Sequence, residues 1–369
     1  MNTQPPFRAD HVGSLLRPKE LREARLQFKR GEIDAAALKR VEDAAIKTVA
    51  KMQEDIGLQG ITDGEFRRSS WHMDFLYQLG GVQKVDSNIT VHFHSDKGDV
   101  DFTPSGLRVV DRIRLDKCIF GDHFEYLRSV TRGTPKLTIP SPSMIHYRGG
   151  RAAVDTKAYP DMEAFWTDLG AAYADELAEL GKRGCTYLQL DDTSLAYLND
   201  PTQRDYVKSI GGDPDAQHRV YIKNINRALS KKPSAMRVCT HLCRGNFRSG
   251  WAASGGYDHV ADALFNELNV DGFFLEYDDE RSGGFEPLRF VPKGKFVVLG
   301  LVTTKRPELE HKDDLKRRIE QAARFIPLEQ LCLSPQCGFS STEEGNELTI
   351  DDQIAKLRLI VETAREVWG

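Results

Sequence analysis

The sequence predicts an α/β chain whose parallel strands close into a TIM (β/α)8 barrel, with an inserted segment near residues 66–130. Three observations point there. Short apolar runs at 8–12, 60–64, 136–140, 186–190, 236–241, 271–275, 296–301 and 331–334 number eight, the count that closes such a ring. Helical patterns separate most of them, as in β/α units. The runs end in polar, reactive residues, which suits a ring whose C-terminal strand ends meet at one face. The competing fold is an open doubly wound sheet. No G-x-G-x-x-G follows the first run, as a dinucleotide-binding sheet of that kind would require.

The first strand, Phe7 through Val12, breaks at Gly13-Ser14, where glycine permits a sharp turn. Pro18 opens a helical stretch rich in Leu, Arg and Glu. Residues 35–56 carry Val41, Ala44, Ile46, Val49 and Met52 at helical spacing, and Gly57 and Gly60 end that helix. Ile61 through Glu65 is a strand finishing in acids. Residues 66–130 are less regular. Alternation at Ile89, Val91 and Phe93 and at Leu107 and Val109 suggests strands or a hairpin there. That segment is a candidate lid, and Arg67, Arg68 and Trp71 stand where it begins. Helices follow at 161–183, 216–230, 258–267, 311–325 and 350–367, interleaved with the later strands.

Composition narrows the class. The chain has 369 residues, is 40% hydrophobic and 29% charged, and carries a net charge of −4, so a large core is affordable and a nucleic-acid surface is not indicated. Lys316-Arg317-Arg318 sits within a helical pattern beside acids and reads as a solvated face. No apolar run is long enough for a membrane span, and the first residues do not form a signal peptide. Six scattered cysteines do not make a disulfide framework. The expectation is a cytoplasmic protein with reduced thiols, without nucleic-acid or membrane partners.

The strand ends hold the chemistry. His241 and Cys243 are two apart, so a strand end aims both to one side. Glu276 closes one later strand and Cys337 follows another. Together they make a His/Cys/Glu/Cys set suited to tetrahedral Zn2+. The alternative is a chance His-x-Cys and a buried small Cys337. Glu65 reads as a substrate-facing or a solvated turn acid, and Asp191 as substrate-facing or a helix cap. His92 and His94 also stand two apart, but they read as solvent-facing residues on the 66–130 segment.

Taken together, Val12-Gly13-Ser14, Asp63-Gly64-Glu65, Gln189-Leu190-Asp191, His241-Leu242-Cys243, Glu276 and Pro335-Gln336-Cys337-Gly338 resemble the cobalamin-independent methionine synthases. The likeness is to their C-terminal catalytic barrel, and more closely to short single-barrel relatives. It spans nearly the whole chain, residues 1–369, as one zinc-dependent methyltransferase-type barrel. The resemblance implies zinc on His241, Cys243, Glu276 and Cys337. It implies homocysteine binding at His11, Val12, Gly13 and Ser14, with Glu65 and Asp191. The implied reaction moves a methyl group from a folate or methylcobalamin-type donor to the homocysteine thiol, giving methionine. Two departures stand out. The second barrel of the full-length family is missing, and Lys305 occupies the place of the family's histidine proton donor. Lys305 is therefore the candidate catalytic residue, as an acid if burial lowers its pKa or equally as a holder of an anionic donor. The alternative activity is alkyl transfer to another thiol or from another donor, as in epoxyalkane:coenzyme M transferases or small-molecule demethylation.

Overall fold

The structure is a computed structural model, and it describes residues 4–86, 89–103 and 105–369. Its centre is a curled seven-stranded parallel sheet. In chain order the strands are β1 (Gly60–Ile61), β2 (Gly80–Val85), β3 (Val91–Phe93), β4 (Val100–Phe102), β5 (Gly106–Arg114) and β6 (Thr134–Pro140). They continue with β7 (Tyr187–Asp192), β8 (Arg237–Leu242), β9 (Gly272–Glu276), β10 (Phe296–Val302) and β11 (Leu331–Pro335). The sheet runs β1-β6-β7-β8-β9-β10-β11, each strand parallel to its neighbours. This is the arrangement of a TIM-like barrel.

The first expected strand, 8–12, forms only a bridge. Ala9 pairs in parallel with Leu333 of β11, and Asp10 N donates to Leu333 O at 3.0 Å. The reason lies in Asp10. Its carboxylate accepts from Phe7 N at 3.1 Å and from His11 N at 2.8 Å, so those amides turn away from a ladder. The second strand is also shorter than the 60–64 expected. Thr62 N donates to Gln53 Oε1 at 3.0 Å, and Gly64 and Glu65 take φ of 66° and 61°.

Strand alternation sorts the side chains. Tyr187, Cys239, Phe274, Val298 and Cys332 point inward and pack with Phe7 and Val12. Leu188, Val238, Phe273, Val297 and Leu331 point outward into the larger core beneath the helices. Lys136, fully buried, closes the inner bottom layer. Its Nζ donates to Asp10 Oδ1 at 3.1 Å and lies 4.0 Å from the Phe274 ring centre. Further along, two residues on β8 and β9 and four on β7, the inward positions become His241, Glu276 and Asp191.

The helices sit close to where the periodicity places them. Ala35–Ile56 starts at Asp34, whose side chain accepts from Ala37 N, and stops at Gly57 with φ of 100°. Met162–Lys182, Gln217–Ala228, Ala261–Glu267, Lys312–Ala322 and Ile350–Trp368 follow. Helices Gly121–Val130 and Pro201–Ser209 carry weaker patterns and were not expected. Between β1 and β6, β2 pairs antiparallel with β5 and β3 with β4. No helix among the described residues is long and apolar enough to cross a membrane.

Candidate metal centre

Four side chains from three parallel strand ends converge. His241 lies in the last turn of β8, Cys243 just beyond it, Glu276 at the end of β9 and Cys337 after β11. One ligand atom from each lies within 4.8 Å of the other three, and all four residues are buried. Cys243 Sγ and Cys337 Sγ are 3.4 Å apart and are not bonded to each other. Neither ring nitrogen of His241 has a hydrogen-bond partner, nor does Glu276 Oε2. Buried polar atoms are seldom left so. An imidazole, two sulfurs and a carboxylate brought together, with both ring nitrogens and one carboxylate oxygen unpaired, fit a tetrahedral zinc ion. The two thiols share a hydrogen bond. It pushes Cys243 well above the ordinary thiol range and holds Cys337 well below it.

A second layer fixes these groups. Arg244 is fully buried, and its backbone N donates to Glu276 Oε1 at 3.0 Å. Its guanidinium donates to Tyr257 Oη at 3.1 Å, Gly255 O at 2.9 Å and Glu276 O at 3.1 Å. Asn246 Nδ2 donates to Gly338 O at 2.7 Å, tying the β8 loop to the turn that carries Cys337. That turn must be glycine at 338, because a Cβ there would stand 1.9 Å from Ser14 Oγ.

A cavity of about 280 Å³ opens beside the cluster. His241, Cys243, Cys337, Val12, Glu65 and Asp191 all line it. Asp191 is pushed up to about 7, first by burial and then by the charge of Glu65. Glu65 is also raised by burial, which Arg68 and Thr138 oppose. Its Oε1 accepts from Thr138 Oγ1 at 2.8 Å, while its Oε2 has no partner. A non-glycine residue at φ 61° is strained, and here it aims a carboxylate into a pocket. Two buried carboxylates at one cavity, with the Glu65 charge raising Asp191, suit a cation between them.

The other expected residues stand behind this wall. His11 Nε2 lies 3.2 Å from Gly60 O, and burial pushes the ring down to about 4. Gly13 O accepts from Thr62 Oγ1 at 2.7 Å, and a Cβ at Gly13 would meet Thr138 Cγ2 at 2.7 Å. Ser14 O accepts from Phe339 N at 2.9 Å. None of these three lines the cavity. Lys305 does not line it either; its Nζ donates to buried Asp278 at 2.6 Å. Of the residues at the start of the 66–130 segment, Trp71 lines the cavity. Arg67 pairs with Glu42 and Asp43, and Arg68 donates to Thr138 O at 2.6 Å. His92 and His94 are exposed, as expected, and pair with Asp101 and Asp99.

Sequence reasoning missed several residues. Arg244 adjoins Cys243 in the motif, and that adjacency was the available signal. Arg17 donates to Glu65 O at 2.9 Å and Ser340 Oγ at 2.6 Å, holding two site loops together. His72, Arg148, Tyr197 and Phe247 line the cavity from loops and short helices whose positions no periodicity sets.

Comparison with known proteins agrees with this geometry. Residues 149–366 match the family described as the catalytic domain of cobalamin-independent synthase. The uncharacterized protein YxjH of Bacillus subtilis (strain 168) is 46% identical over 98% of this chain and 95% of its own. A methionine synthase of Pyrococcus abyssi is 27% identical over 89% of this chain and 84% of its own. A crystal structure from Listeria monocytogenes, solved as a candidate vitamin-B12-independent methionine synthase, is 37% identical and covers 100% of both chains with a TM-score of 0.79. By the matched domain and by these relatives, the chain belongs to the cobalamin-independent methionine synthase family, in its short form.

Proposed function

We propose that this protein is a zinc-dependent methyltransferase that methylates the thiol of homocysteine to give methionine. One observation carries the reading: of the buried cluster His241, Cys243, Glu276 and Cys337, the imidazole and both sulfur residues line a cavity shared with the carboxylates Glu65 and Asp191. His241, Cys243, Glu276 and Cys337 would hold the zinc. Zinc at that site lowers the pKa of a thiol so that it reacts as thiolate near neutral pH.

The chain's own residues do the rest. Glu65 and Asp191 hold the ammonium of the amino acid, which relieves the Glu65 repulsion that raises Asp191. His11 through Ser14 shape the acceptor end from behind, with Val12 as its wall. The acceptor sulfur gains the methyl group, and its proton ends on the departing nitrogen of a folate donor or passes to water with a cobalamin one. The donor, of folate or methylcobalamin type, departs with the electron pair of its methyl bond.

Lys305 acts from behind the centre. Held by Asp278, it is the largest opposing charge against the burial that raises Glu276. It favours the carboxylate form of Glu276 against that burial, as a positioning residue. Residues 1–369 form one catalytic unit. The strands between β1 and β6 cover its mouth, since Val91, Phe93 and Phe102 line the cavity.

The test is methionine formation by zinc-loaded protein, with methyltetrahydrofolate, its polyglutamate form and methylcobalamin offered in parallel. Methionine with one of them is expected. Zinc bound but no methionine with any donor would overturn homocysteine methylation. No zinc bound at all would overturn the metal centre.

A further inference from the structure

Arg148 is the one half-buried guanidinium on the cavity wall that the protein itself leaves unused. Its Nε is buried without a partner, and its side chain makes no hydrogen bond or ion pair among the described residues. The contrast with other arginines near the site is sharp. Arg17, Arg68 and Arg244 are buried, and each spends its donors on backbone carbonyls. The backbone of Arg148 is fixed, because its carbonyl accepts from Tyr206 Oη. The guanidinium is therefore placed but not satisfied.

Its location adds to this. Arg148, His72, Met73 and Ser105 line both the main cavity and a smaller adjoining one of about 150 Å³. None of the four metal-ligand candidates lines the smaller cavity. Arg148 thus stands where a substrate would extend away from the centre. His72 beside it is buried, and its Nε2 also has no partner. Burial first, and the Arg148 charge second, hold that ring down to about 3, so His72 is a neutral neighbour that can share an anion's hydrogen bonds. Asp86 lines the smaller cavity as well but forms no ion pair with Arg148. Of the acids on the main cavity's wall, Glu65, Asp74, Asp191 and Glu343 have their own partners in Thr138, Ser69, Gln189 and Arg25, and Glu344 forms no ion pair with Arg148 among the described residues.

We infer that Arg148 is the anchor for an oxyanion, carboxylate or phosphate, carried by the methyl donor, seated where the two cavities meet. This rests on the methyltransfer reading above. Guanidinium binds such groups through two parallel hydrogen bonds, which fixes orientation as well as position. Both donor classes qualify, since folates carry carboxylates and cobalamins a phosphodiester.

The experiment is protection from phenylglyoxal, followed by peptide mass mapping on the zinc-loaded full chain. It needs no turnover, so it stands apart from the fate of the proposed activity. Arg148 is expected to react faster than Arg17, Arg68 and Arg244. Inorganic phosphate and the true donor are expected to slow it about fivefold or more. Methyltetrahydrofolate is compared with 6-methyltetrahydropterin, which lacks the carboxylates, and methylcobalamin with methylcobinamide, which lacks the nucleotide phosphate. Protection only by the anionic member of one pair identifies the source. Protection by homocysteine but not by 3-aminopropane-1-thiol would assign Arg148 to the acceptor and overturn the donor assignment. No protection by any anion would overturn the anchor itself. In parallel, phosphate binding is followed through Trp71 fluorescence. Arg148→Met is expected to weaken it about tenfold or more and Arg148→Lys less, whereas equal affinity in all three proteins would sink the inference.

Discussion

Cys243 Sγ and Cys337 Sγ stand 3.4 Å apart although 94 positions separate them in the chain. The parallel sheet makes this meeting. β8 and β11 run the same way, so the loops beyond both strands open on the same face. Two sulfurs so close and unbonded call for a shared cation.

Replacing either sulfur should therefore remove the metal without unfolding the chain. Cys337→Ser and Cys243→Ser are expected to retain less than about a tenth of the wild-type zinc after dialysis against a chelator. The readout is metal content by mass spectrometry beside far-ultraviolet circular dichroism. Full zinc in either variant would remove these residues from the centre.

Glu276 is the hardest donor of the four, and the thiol acceptor should displace it. X-ray absorption of the zinc protein is expected to show one oxygen or nitrogen scatterer replaced by sulfur when homocysteine is added. An unchanged sulfur count would refute the exchange.

Arg244 holds Glu276 from two sides, through its own amide and its guanidinium. Arg244→Met should weaken zinc about 10–100-fold, as loss of an orienting partner typically does, and lower the melting temperature. Zinc affinity equal to wild type would show that the network serves packing alone.

Asp191 gives a pH signature. Its folded value, about 7, lies above the usual carboxylate range because of burial and the Glu65 charge. A carboxyl raised in this way stabilises the fold at low pH and loses that contribution as pH rises from about 4 through about 7. Asp191→Asn should therefore stabilise the ligand-free protein at pH 8 by on the order of 2 kcal/mol, and much less at pH 4. The same substitution should weaken homocysteine binding at pH 8, where the wild-type carboxylate is ionised. Denaturant titrations at the two pH values decide it: an equal effect at both would contradict the buried, raised carboxyl.

Gly338→Ala places a methyl group against Ser14 Oγ. A loss of about 1–3 kcal/mol is expected from that overlap, together with weaker zinc binding through the displaced Cys337. Ser14→Gly in the same chain should recover part of it, measured as a coupling in a double-mutant cycle. Strict additivity would mean that the clash is relieved elsewhere.

Much of this site was legible because strand alternation is simple. His241 and Cys243 had to share a side, and a parallel ring had to bring Glu276 and Cys337 to the same face. The end of the long second helix at Gly57 followed from its glycine. What stayed hidden depends on side chains that override periodicity. Asp10 draws Phe7 N and His11 N out of a strand ladder. Lys305 looked like an acid in waiting until Asp278, on the loop after β9, was seen to hold it. Arg148 and His72 come from irregular segments, where spacing carries no geometric information.

The bridge between Ala9 and Leu333 has a meaning for synthesis on the ribosome. Ala9 emerges long before Leu333, its partner in that bridge. At roughly 10 residues per second the wait is on the order of half a minute. Throughout that time Phe7 and Val12 lack Cys332, one of the walls they pack against, and the nascent sheet lacks its closing strand. The sheet gains β11, and with it Cys337 beside Cys243, only after the other strands have been made. The candidate metal centre is complete only once Cys337 has joined it.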